Sequence, residues 1–516
     1  LKLKTIFQLL PCLLAPLVLY AQSDSMPLPP DSALKIALTK IEGEPIRLSD
    51  VVQGALDHAT DVQDALAAMQ AAEGSLTKQR GAFDPELFAE GSKSSEQQPS
   101  SSPFSGADVL HPVTTSGNAG ARITLPVGTE LSASIAGIKQ ETNSSFSSLN
   151  PQYNATSLLT IRQPLLQGFG PAAWGDLSAA KNRYRAAKNR YLDAVAGTRA
   201  ATEGLYWDLY AAERDLAVSK LIHEQATSLL GEASLRATAG LVGPNEVNNA
   251  KVFQAEQELS LLDADDNLSR ISDQLATMLG RRPSGDFSRF RTLDDPPLQS
   301  PAEPLDSLLT RAFRTNHLLL AAEAEVNAAQ TQVRAAWWNA LPQADLFGSL
   351  GGNGLAGQGR DVVFLSDTLH NTRNDHFSDA LSQALQRSFP TWTIGLRVTV
   401  PLLFREKRGE HQRLQSELDR SRIRYLQLKR AIEAQVRLQF RELEQGNSRI
   451  KAAENGVLAS VDQTRIGLIQ FKNGKTTAFE LVRLGADLAT AQRRYSQSLV
   501  RTAKATAQLT ALAPLE

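Results

Sequence analysis

The chain has 516 residues, with 54 Lys and Arg against 55 Asp and Glu, and a single cysteine. The balanced charge gives no electrostatic footprint for nucleic acid, and one cysteine supports no disulfide framework. Length alone allows about three compact domains, but the helical patterns below are too long for compact units.

At the N-terminus, Lys2 and Lys4 precede an apolar run from Leu9 to Tyr20, then Ala21 and Gln22. This predicts an export signal over residues 1–21, cut after Ala21. Pro11 and Pro16 break the run, which is shorter than the roughly 20 residues of a spanning helix. Cys12 lies inside it; lipidation there would require a cut before most of the apolar run. The proline-rich stretch 22–47 reads as a loose N-terminal arm. No later stretch is apolar enough for a membrane helix, so a membrane crossing would need a closed β-barrel.

From Leu48 the chain repeats itself. Ala55–Pro85 and Ala312–Pro342 share one outline at a constant offset of about 257 residues. Met69, Ala72 and Leu76 fall on Val326, Ala329 and Val333. Each copy ends in an apolar cluster (Phe83; Trp337 and Trp338), a proline, and a Leu-Phe pair (Leu87-Phe88; Leu346-Phe347). Residues 48–303 form repeat 1 and 304–513 repeat 2. Each opens with one continuous helical pattern, the first running from Leu48 to Gly81.

Strand patterns follow, at about 85–163 and 343–403. In Thr391–Val400 every even position is apolar and every odd one polar or Gly, as expected for a strand between lipid and water or for a half-buried soluble strand. Trp392 lies near one end, suited to an interfacial belt. In the first copy Leu159 and Ile161 match Leu396 and Val398, but Ser157 stands where Ile394 does. Repeat 1 is longer here, and 121–140 reads as an extra hairpin about Val127-Gly128, either enlarging a loop or lengthening the strands.

Long helices are predicted over 171–239 and 405–472, each about 100 Å at 1.5 Å per residue. The second carries Leu414, Leu418, Tyr425, Leu428, Ile432, Val436, Phe440 and Leu443 at coiled-coil spacing. The first offers Ala179, Ala180, Ala186 and Ala187 for close helix approach. After turns at Gly240 and Gly474, return helices are predicted over 245–280 and 478–512. A linker, 281–303, joins the repeats.

At this point the chain resembles the TolC-type outer-membrane efflux ducts. The likeness rests on the helix outlines ending at Pro85 and Pro342, the strand exits Gln163–Leu166 and Val400–Leu403, and the turns running from Gly240 to Val247 and from Gly474 to Leu481. It covers about Leu48 to Ala513. It implies a mainly α fold with a membrane β-barrel: a coiled-coil α-barrel in the periplasm and a 12-stranded outer-membrane barrel shared by a homotrimer, four strands per chain. It also implies a passive exit duct for small molecules or type I secreted proteins. Its partners would be a periplasmic adaptor, a proton-driven or ATP-driven inner-membrane pump, and outer-membrane lipid, with no nucleic acid. The alternative is a periplasmic coiled-coil scaffold or adaptor without a channel of its own.

The resemblance assigns a periplasmic gate to Glu246 and Glu480, with Asn249 and Arg483 one helical turn further on; the plain alternative is solvated coiled-coil charge. It assigns adaptor contact to Gly240, Leu241, Gly474 and Lys475, which serve in any case as helix ends. Trp174, Trp337 and Trp338 either anchor the barrel rim in lipid or pack barrel against helices. Arg397 is expected to face the lumen. His370, His376, Asp367 and Asp375 lack the spacing of a metal site. No nucleophile, phosphate-loop or cofactor motif occurs, so neither catalytic residues nor cofactors are expected.

Overall fold

The computed structural model describes residues 30–102, 105–281, 289–297, 303–364, 367–473 and 475–515. The expected export signal lies outside them. The helices are α1 (Pro30–Thr39), α2 (Leu48–His58), α3 (Thr60–Arg80), α4 (Pro171–Thr238), α5 (Pro244–Met278), α6 (Leu305–Thr315), α7 (His317–Asn339), α8 (Phe377–Leu385), α9 (Arg405–Lys472) and α10 (Ala478–Leu512). Among the described residues no helix is long and apolar enough to cross a membrane.

Two expectations about the helices need correction. Each opening helix is two helices, broken at Ala59 and Asn316, whose backbones are extended (φ −62°, ψ 121°; φ −63°, ψ 118°). Asn316 caps α7 by accepting from Leu319 N at 3.0 Å, and its amide donates to Leu512 O at 3.0 Å. Capping by a side-chain oxygen competes with helix continuation. The arm is also not wholly loose. It contains α1, whose Leu34 packs, as does Phe253, against the buried cluster of Val218, Ile222 and Ala489.

The chain forms two compact units. One comprises Tyr210–Arg270 and Ile450–Ser498 with the described residues up to Glu44. It contains the α4–α5 and α9–α10 turns and the buried cluster of Val218, Ile222 and Ala489.

The other comprises Pro45–Leu209, Ile271–Arg449 and the C-terminal stretch from Leu499. Its helical core joins Leu308, Leu309, Ala312 and Leu319 to Ile432, Val436 and Leu443, members of the α9 heptad pattern. Ala179, Ala180, Ala186 and Ala187 of α4 are all buried, and Ala186 meets Ala321 and Ala324 of α7. A short two-stranded pair near Ile46 and Phe290 is tied to α4 by Tyr206.

This second unit holds one six-stranded sheet: β1 (Glu86–Ser95), β2 (Val113–Thr124), β3 (Glu130–Glu141), β4 (Leu149–Pro164), β5 (Gln343–Gly359) and β6 (Phe389–Thr399). The strands lie in chain order, each antiparallel to the next. The expected four strands per chain are therefore too few. Repeat 1 supplies four and repeat 2 supplies two. The stretch 121–140 is the expected hairpin, but it is neither an enlarged loop nor an extension: it is the end of β2, a tight turn and nearly all of β3. Leu125 N bonds Thr129 O and Gly128 N bonds Leu125 O, both at 2.8 Å, with Gly128 at φ 90°. Only glycine takes that backbone at little cost.

The loop between β5 and β6 also carries structure. His376 and Asp379 form a capping box for α8, which lies on the sheet. Ala380 and Ala384 pack on Ala155 and Ala356, and any side chain at Gly352 or Gly354 would strike the α8 backbone. Ser157 donates to Ala384 O at 2.7 Å. That bond accounts for the serine that interrupts the apolar alternation of β4.

Candidate functional site: a two-faced sheet and a pair of helical turns

Register assigns every strand residue to one of two faces, because side chains alternate. Leu87, Leu131, Ile161, Leu346, Leu350, Ile394, Leu396 and Val398 share one face. Many are open: Leu87 83%, Ile394 70%, Leu396 61% and Val398 58% exposed. Full burial of each such side chain is worth roughly 1.5–3 kcal/mol. Left in water, the face would forfeit on the order of 10 kcal/mol, comparable to the stability of a whole domain. Trp392 is on this face, 71% exposed.

The opposite face is polar, with Ser132, Thr160, Ser349 and Thr393 in one cross-strand row. At the helix-proximal end of each strand it carries one charge: Glu86, Arg122, Glu130, Arg162, Asp345 and Arg397, alternating in sign. Glu86 lies opposite Arg122 and bonds it at 2.7 Å. Glu130 lies opposite Arg162 and bonds it at 2.8 Å. Asp345 lies opposite Arg397. Arg162 also reaches diagonally to Asp345 at 2.9 Å, and Gln343 donates to the same oxygen at 2.7 Å. Arg397 lies over Phe347, 5.4 Å from the ring centroid. Sequence reasoning found only Arg397. The available signal was a charge within the first three residues at the helix-proximal end of each strand, visible once six strands rather than four are counted.

At the junction of strands and helices, Trp338 meets Phe169 edge-on at 6.1 Å and Trp337 at 5.5 Å. Trp338 thus packs strand exit against helix, whereas Trp337 is 51% exposed. Trp174 is half-buried in the first turn of α4.

In the other unit, the α4 end is a Schellman turn. Leu241 N bonds Arg236 O at 2.9 Å and Gly240 N bonds Ala237 O at 3.0 Å, with Gly240 at φ 72°. Lys475 N bonds Gln470 O at 2.9 Å in the corresponding place; Gly474 lies outside the described residues. Leu241 projects with 75% of its surface exposed.

Glu246 and Glu480 both sit in the first turn of a helix, where a carboxylate is favoured by the helix dipole. They do not share a cavity. Glu246 and Asn249 line a space of about 380 Å³ with Glu232, Arg236, Phe253, Thr477, Phe479 and Val482. Glu480 instead accepts from Arg483 of its own helix at 2.8 Å. Sequence reasoning missed the two phenylalanines that form the apolar part of this cavity.

No family model matches the sequence, and no curated protein does. Solved structures do. The outer-membrane channel OprN aligns over 90% of this chain and 89% of its own, with a TM-score of 0.63 and 16% identity. The Vibrio cholerae outer membrane protein VceC aligns over 90% and 96%, with a TM-score of 0.60 and 15% identity. The Campylobacter jejuni outer membrane channel CmeC aligns over 90% and 85%, with a TM-score of 0.61 and 14% identity. The chain has the fold of these outer-membrane channels, the fold implied by its sequence resemblance to TolC-type ducts.

Proposed function

We propose that this protein is a passive exit duct of the outer membrane. The observation that carries this reading is the two-faced sheet: one side apolar, exposed over its helix-proximal part and covered by α8 further out, the other polar and charge-lined. Lipid offers no hydrogen bonds to open strand edges, so such a sheet is stable in a membrane only when closed. Among the described residues the sheet has two free edges, β1 and β6, so closure calls for further copies. With the homotrimer implied by the resemblance, three copies of a six-stranded sheet make eighteen strands.

The helical turns would then project into the periplasm. Gly240, Leu241 and Lys475 would meet a periplasmic adaptor, itself joined to an inner-membrane pump that supplies the energy. Glu246, Asn249, Glu480 and Arg483 would form the periplasmic gate, where like carboxylates brought together around an axis attract cations and repel anions. The chain itself performs no covalent chemistry in this reading.

Single cysteines test the sheet's orientation in isolated outer membranes. A membrane-impermeant maleimide should label Thr393→Cys on the polar face and spare Ile394→Cys on the apolar face. Equal labelling of both would contradict a membrane-spanning sheet.

A further inference from the structure

The charge ladder has a pitch. Within each of the three hairpins, β1–β2, β3–β4 and β5–β6, the carboxylate and the arginine occupy directly opposed positions. Between hairpins the ladder steps two residues toward the helical end. Arg122 faces Ser132 while Glu130 faces Thr124; Arg162 faces Phe347 while Asp345 faces Pro164. The second step is bridged by the 2.9 Å bond between Arg162 and Asp345. Two residues rise about 6.7 Å, and two strand spacings span about 9.6 Å. The ladder is therefore level when strands tilt by about 35°, within the roughly 35–45° of membrane barrels.

The ladder begins with a carboxylate on one free edge and ends with an arginine on the other. We infer that β6 of one copy pairs antiparallel with β1 of a second copy in the register that repeats this step, with Thr399 opposite Glu86 of the partner subunit. Arg397 then reaches diagonally to Glu86 of the partner subunit as Arg162 reaches Asp345, and the charges close into an alternating ring. This inference rests on the proposed duct; what it adds is the seam, its register and the ring.

A second observation selects the same register. The edge strands are Glu86–Ser95 and Phe389–Thr399. With Thr399 opposite Glu86, Pro390 falls opposite Ser95, so β1 is paired over its whole length. The faces also agree. Val398 meets Leu87 and Leu396 meets Ala89 on the apolar side, and Thr393 meets Ser92 on the polar side. A shift of one residue would put each apolar row against a polar one. A shift of two would preserve the faces but break the step and leave an end unpaired.

Engineered cysteine pairs on the apolar face read the register without touching the ladder. Directly opposed positions have Cβ atoms about 4.5–5.5 Å apart, and diagonal ones about 7–8 Å; a disulfide needs them near 3.5–4.5 Å. Full-length protein carrying Leu396→Cys with Ala89→Cys, oxidised in outer membranes, should migrate as cross-linked dimers and trimers on non-reducing gels. Leu396→Cys with Leu87→Cys, or with Gly91→Cys, should remain monomeric. Cross-linking by either shifted pair in place of the first would overturn the register. No cross-linking by any pair, with single-channel conductance intact, would overturn the seam while leaving the duct in place. Loss of both from protein that is also inactive without the cysteines would count against the duct itself.

Discussion

Arg162 and Asp345 join the two repeats. The guanidinium of β4 bonds the carboxylate of β5 through Nε at 3.1 Å and Nη2 at 2.9 Å, where the last strand of repeat 1 meets the first strand of repeat 2. The Asp345 side chain is 2% exposed and that of Arg162 39%. A buried carboxylate is tolerated only when paired, so this contact makes the polar face continuous across the repeat boundary.

Replacing Asp345 with Ala should cost roughly 1.5–3 kcal/mol, the range for a hydrogen bond to a charged group. The cost is held down because Arg162 keeps Glu130 and partial solvent contact. Unfolding in detergent, followed by the gel shift of the folded sheet, measures it. A midpoint equal to that of the parent protein would contradict a structural role for the pair.

Tyr206 anchors the small strand pair to α4. Its hydroxyl lies 2.9 Å from Asp294 Oδ2 and accepts from the amides of Leu293 and Asp294 at 3.2 Å. Asp294 in turn accepts from Leu48 N at 2.7 Å. Burial raises the tyrosine pKa above its ordinary value, so the hydroxyl stays a donor. Tyr206→Phe should destabilise by about 1–3 kcal/mol, because the Asp294 amide loses this acceptor and the Asp294 carboxylate loses a donor. Denaturant titration would reveal this as a lower midpoint at unchanged slope.

Glu442 accepts from Arg449 and Arg501, each at 2.8 Å. The hydrogen bond from Arg501 comes first among the effects that lower its pKa. The folded value lies below the unfolded one, about 4.3 for glutamate. The stabilisation is therefore complete above that pH and disappears as pH falls through the lowered folded value. Urea midpoints measured across this acid range should fall less steeply for Glu442→Gln than for the parent. Identical slopes would show that the carboxylate contributes nothing.

The Glu480–Arg483 pair is exposed and three residues apart on one helix, a geometry worth only about 0.3–0.5 kcal/mol. Replacing both with Ala should hardly move the unfolding midpoint. If these residues belong to a closed gate, the double variant should nevertheless raise the single-channel leak and alter its cation preference. Unchanged conductance and selectivity would remove them from the gate.

Long-range periodicity was the most readable part of the sequence. The α9 heptad residues Ile432, Val436 and Leu443 occupy the core, because burial on one helix face leaves a direct imprint on spacing. Short interruptions were harder to see. The break at Ala59 is set by backbone geometry rather than a side-chain cap, and α1 is held by contacts from distant segments. The strand count failed for a related reason. Val113–Thr124 contains small and polar residues on both faces, so its alternation is weak, and its identity as a strand depends on β1 and β3 beside it. The charge ladder became visible only with register, since its members are separated by up to hundreds of positions. Of the residues proposed for the gate, the sequence singled out the two equivalent carboxylates, but only the structure separates Glu246 in its cavity from Glu480 in its ion pair.

Ion conductance in planar lipid bilayers tests the central claim most directly. Purified full-length protein should insert and produce discrete, long-lived conductance steps, as a closed sheet with a charged polar interior requires. Protein that remains folded and oligomeric yet never conducts, and that leaves membranes with the soluble fraction, would contradict the duct and favour a periplasmic scaffold.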